Sequence, residues 1–144
     1  MIVWVLVAAI VAGMVYIRLA PSDPDRWHKQ ANASGMGETR SDRSFIWREA
    51  LEGDGIAKLR ELDGIVMKTP RTTRLAGSVD DGQITYISRS QFFGFPDYTT
   101  IGVYDGLNED TDQRYFEISG RARFGRSDLG VNAKRIKGWL AAVE

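Results

Sequence analysis

Near the C-terminus, four arginines gather around one aspartate and one asparagine: Arg121, Arg123, Arg126, Asp128, Asn132 and Arg135. Arg121 and Arg123 alternate along an expected strand and so share one of its faces. Arg126, Asp128 and Asn132 fall in the turn before a final helix, which carries Arg135. Guanidinium groups present fixed forks of N–H donors, and a helix N-terminus presents backbone N–H groups, so this set suits an anion. The competing reading is structural: Asp128 caps the helix and pairs with an arginine, locking strand to helix. The aromatic run 91–98 (QFFGFPDY) adds Phe95, Asp97 and Tyr98 to the candidate ligand or partner site, with Phe92 and Phe93 beside them.

Other chemistries are poorly served. There is no cysteine, which excludes disulfides, thiolate metal sites and cysteine nucleophiles. The single histidine, His28, excludes a multi-histidine metal site and leaves a histidine-based triad without support. The acidic stretch 105–112 lacks the alternating ligands of a calcium loop and reads as a hairpin tip. No glycine-rich phosphate loop precedes a helix. Neither a metal nor a cofactor is expected. The catalytic alternative is a hydrolase-like enzyme using Asp97 or Asp128 as acid or base beside the arginines. It ranks below binding, because no nucleophile or metal set is visible.

The elements that position these residues follow from periodicity. Runs 72–79 and 83–90 alternate on either side of Asp80-Asp81-Gly82, a hairpin signal. Run 99–105 predicts another strand. In run 114–125, Phe116, Ile118, Gly120, Ala122 and Phe124 alternate with Glu117, Ser119, Arg121 and Arg123. That pattern predicts one buried face and one polar face. Segment 44–51 (SFIWREAL) reads as a strand. Ile56, Leu59, Leu62 and Val66 recur at helical spacing after an expected cap at Asp54, and Ile136, Trp139, Leu140 and Val143 form a second apolar helix face. The expectation for 44–144 is an α+β two-layer domain: a mostly antiparallel sheet of about four strands with two amphipathic helices. Residues 21–43 read as a linker, with His28 an exposed linker histidine.

Residues 1–20 are a different material. All but Gly13 and Arg18 are apolar, and 1–17 carry no charged side chain. As a helix, twenty residues rise about 30 Å, close to the hydrocarbon thickness of a bilayer. The run shows no polar face, and it lacks the basic start and small-residue cleavage pattern of a signal peptide. A retained single-pass transmembrane anchor is expected, with the lipid bilayer as its partner. Ala8, Ala9, Ala12 and Gly13 form two small pairs spaced four apart, which allows close approach of a second membrane helix and suggests an integral-membrane complex. Nineteen basic and nineteen acidic residues balance, which argues against nucleic acid as a partner.

The segment GFPDY (94–98), followed by SGRARFGRSDLGVNAKRI (119–136), resembles the bacterial and plastid family called domain of unknown function 1499. Gly125, Ser127, Asp128, Gly130, Asn132 and Arg135 match its G-x-S-D-x-G-x-N-x-x-R signature in order. The runs 20–28 and 70–78 resemble its membrane-anchored bacterial branch. Many relatives have a serine between the two strand arginines, where this chain has Ala122. The resemblance implies no activity and no catalytic residue. It implies that many relatives are exported, whereas Arg18, Arg26 and Lys29 after the apolar run favour a cytoplasmic domain. The expectation is a bacterial inner-membrane protein with its domain on the periplasmic side. Its expected role is non-catalytic binding or service as an accessory subunit of a membrane complex.

Overall fold

The structure is a computed structural model that describes residues 1–33, 35–106 and 113–143. The chain runs α1 (Ile2–Leu19), α2 (Pro24–Trp27), β1 (Gly37–Arg40), β2 (Ser44–Ala50), α3 (Ile56–Met67), β3 (Thr72–Ser78), β4 (Gln83–Arg89), β5 (Pro96–Tyr104), β6 (Tyr115–Ala122) and α4 (Val131–Ala141). The acidic stretch expected as a hairpin tip lies, from 107 to 112, outside the described residues.

The fold is α+β, and its strands form one antiparallel sheet in the order β1-β2-β6-β5-β4-β3. The sheet has six strands, which corrects the expected four or so. The strand that periodicity does not reveal is β1. Its sequence GETR has no apolar alternation and its last three residues are exposed. It is held by backbone pairing with β2, from Gly37 opposite Arg48 to Arg40 opposite Phe45. Strand β5 also begins earlier than its apolar alternation suggests, at Pro96. Proline is tolerated at a first strand position because its missing N–H is least needed there.

One face of the sheet carries α3 and α4. Phe45, Ile84, Ile101, Phe116 and Ile118 meet Leu59, Leu62 and Val66 of α3 and Ile136 and Trp139 of α4 in a single core. Asp54 Oδ1 accepts the Ile56 N–H at 3.1 Å at the start of α3. Gly120 lets α4 come close: a Cβ there would lie 2.7 Å from Asn132 Oδ1 and 3.0 Å from Ile136 Cδ1.

The second face was expected to be polar and solvated, and it is covered. Glu117 is 0% and Ser119 3% exposed. The cover is the stretch after α1, read from sequence as linker. Trp27 stacks on Tyr98 with ring centroids 3.9 Å apart and planes 8° from parallel. His28 Nδ1 lies 2.8 Å from Thr85 Oγ1, which lies 2.8 Å from Thr100 Oγ1. The Ala31 N–H donates to Glu117 Oε1 at 2.8 Å, while Arg48 donates to Glu117 Oε2 at 2.6 Å and to the carbonyls of Ala31 and Ala33. Residues 21–33 are thus a strap whose backbone is latched by hydrogen bonds to a buried ion pair of the sheet. Charges that look solvated in a period-two pattern are tolerated inside because each meets an opposite charge or backbone groups.

Helix α1 meets the length and apolarity that a membrane span requires, as a signal sequence near an N-terminus also does. None of its side chains is buried. Its C-terminal end touches the domain. Arg18 donates to the Phe92 carbonyl at 2.7 Å, and the Tyr16 ring meets the Phe124 ring edge-on at 6.2 Å. Gly94 allows this approach, since a Cβ there would lie 3.1 Å from Arg18 Cγ.

Candidate functional site

The sheet divides the arginine cluster. Side chains alternate across a strand, so Arg121 faces the strap while the groups on α4 lie on the helical face. Arg121 donates to the Trp27 carbonyl and sits with its guanidinium carbon 5.2 Å from the Trp27 ring centroid. Burial pushes this guanidinium below its ordinary value, countered by Glu117, and its Nε has no hydrogen-bond partner among the described residues. Arg123 donates to the Pro21 carbonyl at 2.9 Å and to the Tyr98 hydroxyl at 3.3 Å. Tyr98 is fully buried and its hydroxyl also lies 2.7 Å from Ser22 Oγ. These three residues fasten the strap. Arg126 is exposed on the turn.

The remaining candidates come together on the other face. Asp128 accepts the N–H groups of Gly130 at 2.9 Å and Asn132 at 3.2 Å, and the Asn132 side-chain amide at 2.8 Å. From two residues before the N-cap Gly130 it thus serves a first-turn N–H of α4, while the arginine pairing that the structural reading also expected is absent among the described residues. Arg135 donates to Asp97 Oδ2 at 3.1 Å and to Asn132 Oδ1 at 3.2 Å. Burial pushes the Asp97 carboxyl above its usual value, Arg135 draws it back, and Asp128 adds to the rise.

Asp97, Asp128 and Arg135 line a cavity of about 450 Å³ at the end of the sheet where β5 begins and β6 ends. Two further arginines line it, Arg71 just before β3 and Arg89 at the end of β4. Its apolar lining comes from Phe95, Phe124, Leu129 and Val131. Three guanidiniums thus face two carboxylates, and both carboxylates already have internal partners. Among the described residues neither Arg71 nor Arg89 has a carboxylate partner. Arg71 Nε donates to the Arg89 carbonyl at 3.1 Å, and Arg89 Nη1 to the Gly94 carbonyl at 2.9 Å. The other donors of each fork have no hydrogen-bond partner among the described residues.

The backbone at this site is strained. Arg71 has φ 56° and Leu129 φ 52°, the two non-glycine residues in the left-handed region among those described. That conformation costs about 1–2 kcal/mol for an L residue. A second cavity of about 510 Å³ shares Arg71 and Arg89 and is bounded by Arg18 and Leu19 at the end of α1 and by Thr73 and Gly94. The exposed rings of Phe92 and Phe93 flank this end of the domain.

Sequence reasoning did not single out Arg71 and Arg89. The hairpin register could have brought them together only with knowledge of the bulge between Arg74 and Ala76. Counting outward from the Ser78–Gln83 pair sets Arg71 opposite Ser90, and the bulge moves it by one to Arg89. Phe124, expected in the core, instead lines the cavity and meets Tyr16 and Phe95. Ala8, Ala9, Ala12 and Gly13 lie on α1, exposed, and are not among the residues that line this cavity.

Residues 17–143 match a family model described as protein of unknown function (DUF1499). No curated protein and no solved structure matches the chain.

Proposed function

The chain belongs to the DUF1499 family, whose description assigns no activity, and on that premise we propose that it is a membrane-anchored, non-catalytic binding protein. Its site is the cavity at the end of the sheet, and what it binds there is an anionic group. The observation that carries this reading is the pair Arg71 and Arg89, without carboxylate partners among the described residues, in a cavity with an apolar rim. A guanidinium fork suits phosphate or carboxylate bidentately. The anchor is α1, set in a bacterial inner membrane with the domain on the periplasmic side, in keeping with the exported relatives that the motif resemblance implies. The small pairs Ala8/Ala12 and Ala9/Gly13 on α1 support a helix partner in the membrane, and so an accessory role in a larger complex.

A second reading is favoured by one observation, the raised Asp97 carboxyl inside a cavity, which suits a general acid. The surroundings weigh against it. Arg135 holds Asp97 in an ion pair, Asp128 is occupied as a cap, and the cavity's Ser90 and Ser127 hydroxyls accept turn N–H groups from Phe95 and Leu129.

The test is thermal unfolding of the full-length protein in neutral detergent, with inorganic phosphate and with phosphatidylglycerol as separate additions. A ligand that binds only the folded state stabilises it by about 2.7 kcal/mol at one hundred times its Kd. At least one anion should raise Tm, and Arg71→Gln with Arg89→Gln should remove the rise. No rise with either anion would refute the reading.

A further inference from the structure

Like-charged side chains directly opposite each other across a strand ladder are destabilising. Here the end of the β3–β4 ladder brings Arg71 and Arg89 together through two hydrogen bonds. The Arg89 N–H donates to the Arg71 carbonyl at 2.9 Å, and Arg71 Nε to the Arg89 carbonyl at 3.1 Å. Neither arginine forms an ion pair with an acid among the described residues. Arg71 holds its position with a left-handed backbone. An anion that completes this pair is the natural occupant of the gap.

The surroundings say where that anion comes from. One cavity beside the pair is rimmed by Phe95, Phe124, Leu129 and Val131. The other opens against Arg18 and Leu19, the last turn of α1. Phe92 and Phe93, 75% and 52% exposed, project from the loop whose carbonyl Arg18 holds. If α1 spans a bilayer, its charged end and these rings lie at the headgroup level, where arginine and aromatic side chains are favoured. A soluble anion needs no apolar rim, and an apolar ligand needs no pair of guanidiniums.

We infer that Arg71 and Arg89 hold the headgroup of an anionic lipid drawn from the bilayer that carries α1. The phosphate sits between the two forks, and Phe95 and Phe124 cover the first part of the lipid's apolar portion. About 450 Å³ accommodates a small ligand and not a whole two-chain lipid, so the tails stay in the bilayer beside α1. This inference rests on the binding reading above and deepens it.

The experiment is native mass spectrometry of the full-length protein released from neutral detergent, with dioleoyl phosphatidylglycerol and dioleoyl phosphatidylcholine as probes. One phosphatidylglycerol should remain bound per chain, and phosphatidylcholine should not. Arg71→Gln with Arg89→Gln should weaken phosphatidylglycerol binding about tenfold or more, the loss expected for a charge-assisted bond. Inorganic phosphate and glycerol 3-phosphate at equal concentration should fail to displace the lipid. If they do displace it, the site takes a soluble anion: the lipid assignment falls and the anion-binding reading stands. If neither lipid nor phosphate binds, both fall. If the double variant keeps its lipid, the lipid sits elsewhere on the anchor and the inference is overturned. Should the double variant lose its folded circular dichroism, Arg71→Gln alone replaces it, since that side chain is exposed, and the competition arm needs no variant.

Discussion

Replacing Glu117 by glutamine should detach the strap from the sheet. The side chains of Arg48 and Glu117 are 2% and 0% exposed, and they are 2.6 Å apart. Glutamine keeps the shape and can still accept the Ala31 N–H, but its NH2 then faces the Arg48 donors, so the change removes the charge and one acceptor. It leaves the Arg48 guanidinium buried against two carbonyls with no counter-charge. Breaking a buried pair in this way costs about 3–5 kcal/mol, a large share of the roughly 5–15 kcal/mol that holds a domain folded. The strap can escape part of the penalty by peeling off and letting Arg48 reach water. Two readouts therefore move together. Urea unfolding of the full-length chain in neutral detergent should show a lower midpoint. Trypsin should cut faster after Arg26 and Lys29, which lie on the strap. The double change Glu117→Leu with Arg48→Met should cost less than Glu117→Gln, because two apolar groups leave no charge behind. A loss below about 1 kcal/mol in Glu117→Gln, with cleavage after Lys29 unchanged, would show that the pair does not hold the strap.

Two other expectations concern the helical face. Gly120→Ala puts a methyl group against Asn132 and Ile136 and should destabilise by about 1–3 kcal/mol, read from the same urea transition. A neutral result would mean that α4 is free to shift outward. Asp97 tests the pH dependence: its folded carboxyl sits above 3.8, so the folded state binds this proton more readily than the unfolded chain. The stability contributed by that group is present below pH 3.8 and declines as pH rises through its folded value, so Asp97→Asn should flatten this part of the stability–pH curve. An unaltered curve would refute the assignment.

The helices and the central strands were legible because their signals are local. Leu59, Leu62 and Val66 repeat at helical spacing, and Phe116, Ile118 and Gly120 repeat at strand spacing, whatever the rest of the chain does. The cover on the second face was not legible, because its evidence is divided. Trp27 and Tyr98 are seventy-one positions apart and carry no pattern that pairs them. Glu117 and Arg48 each look like ordinary surface charges on a half-buried strand until they are seen to face each other. The candidate site was half legible. The run from Gly125 to Arg135 marked Asp128, Asn132 and Arg135 correctly as neighbours, and the capping role of Asp128 followed from its place before α4. Grouping Arg121 and Arg123 with them failed, since residues adjacent in sequence stand on opposite sides of the sheet. Arg71 and Arg89 depend on a single bulged residue, which composition and periodicity do not mark.

The strap also sets how the domain is carried. Ser22 and Pro21 engage Tyr98 and Arg123 within three residues of the end of α1, so no slack separates rod from body. A loose tether would let the domain sweep a wide volume in search of its target. A bracket of this kind instead fixes the standoff and bearing of the cavity relative to the rod. Tilting or turning α1 then carries the cavity with it.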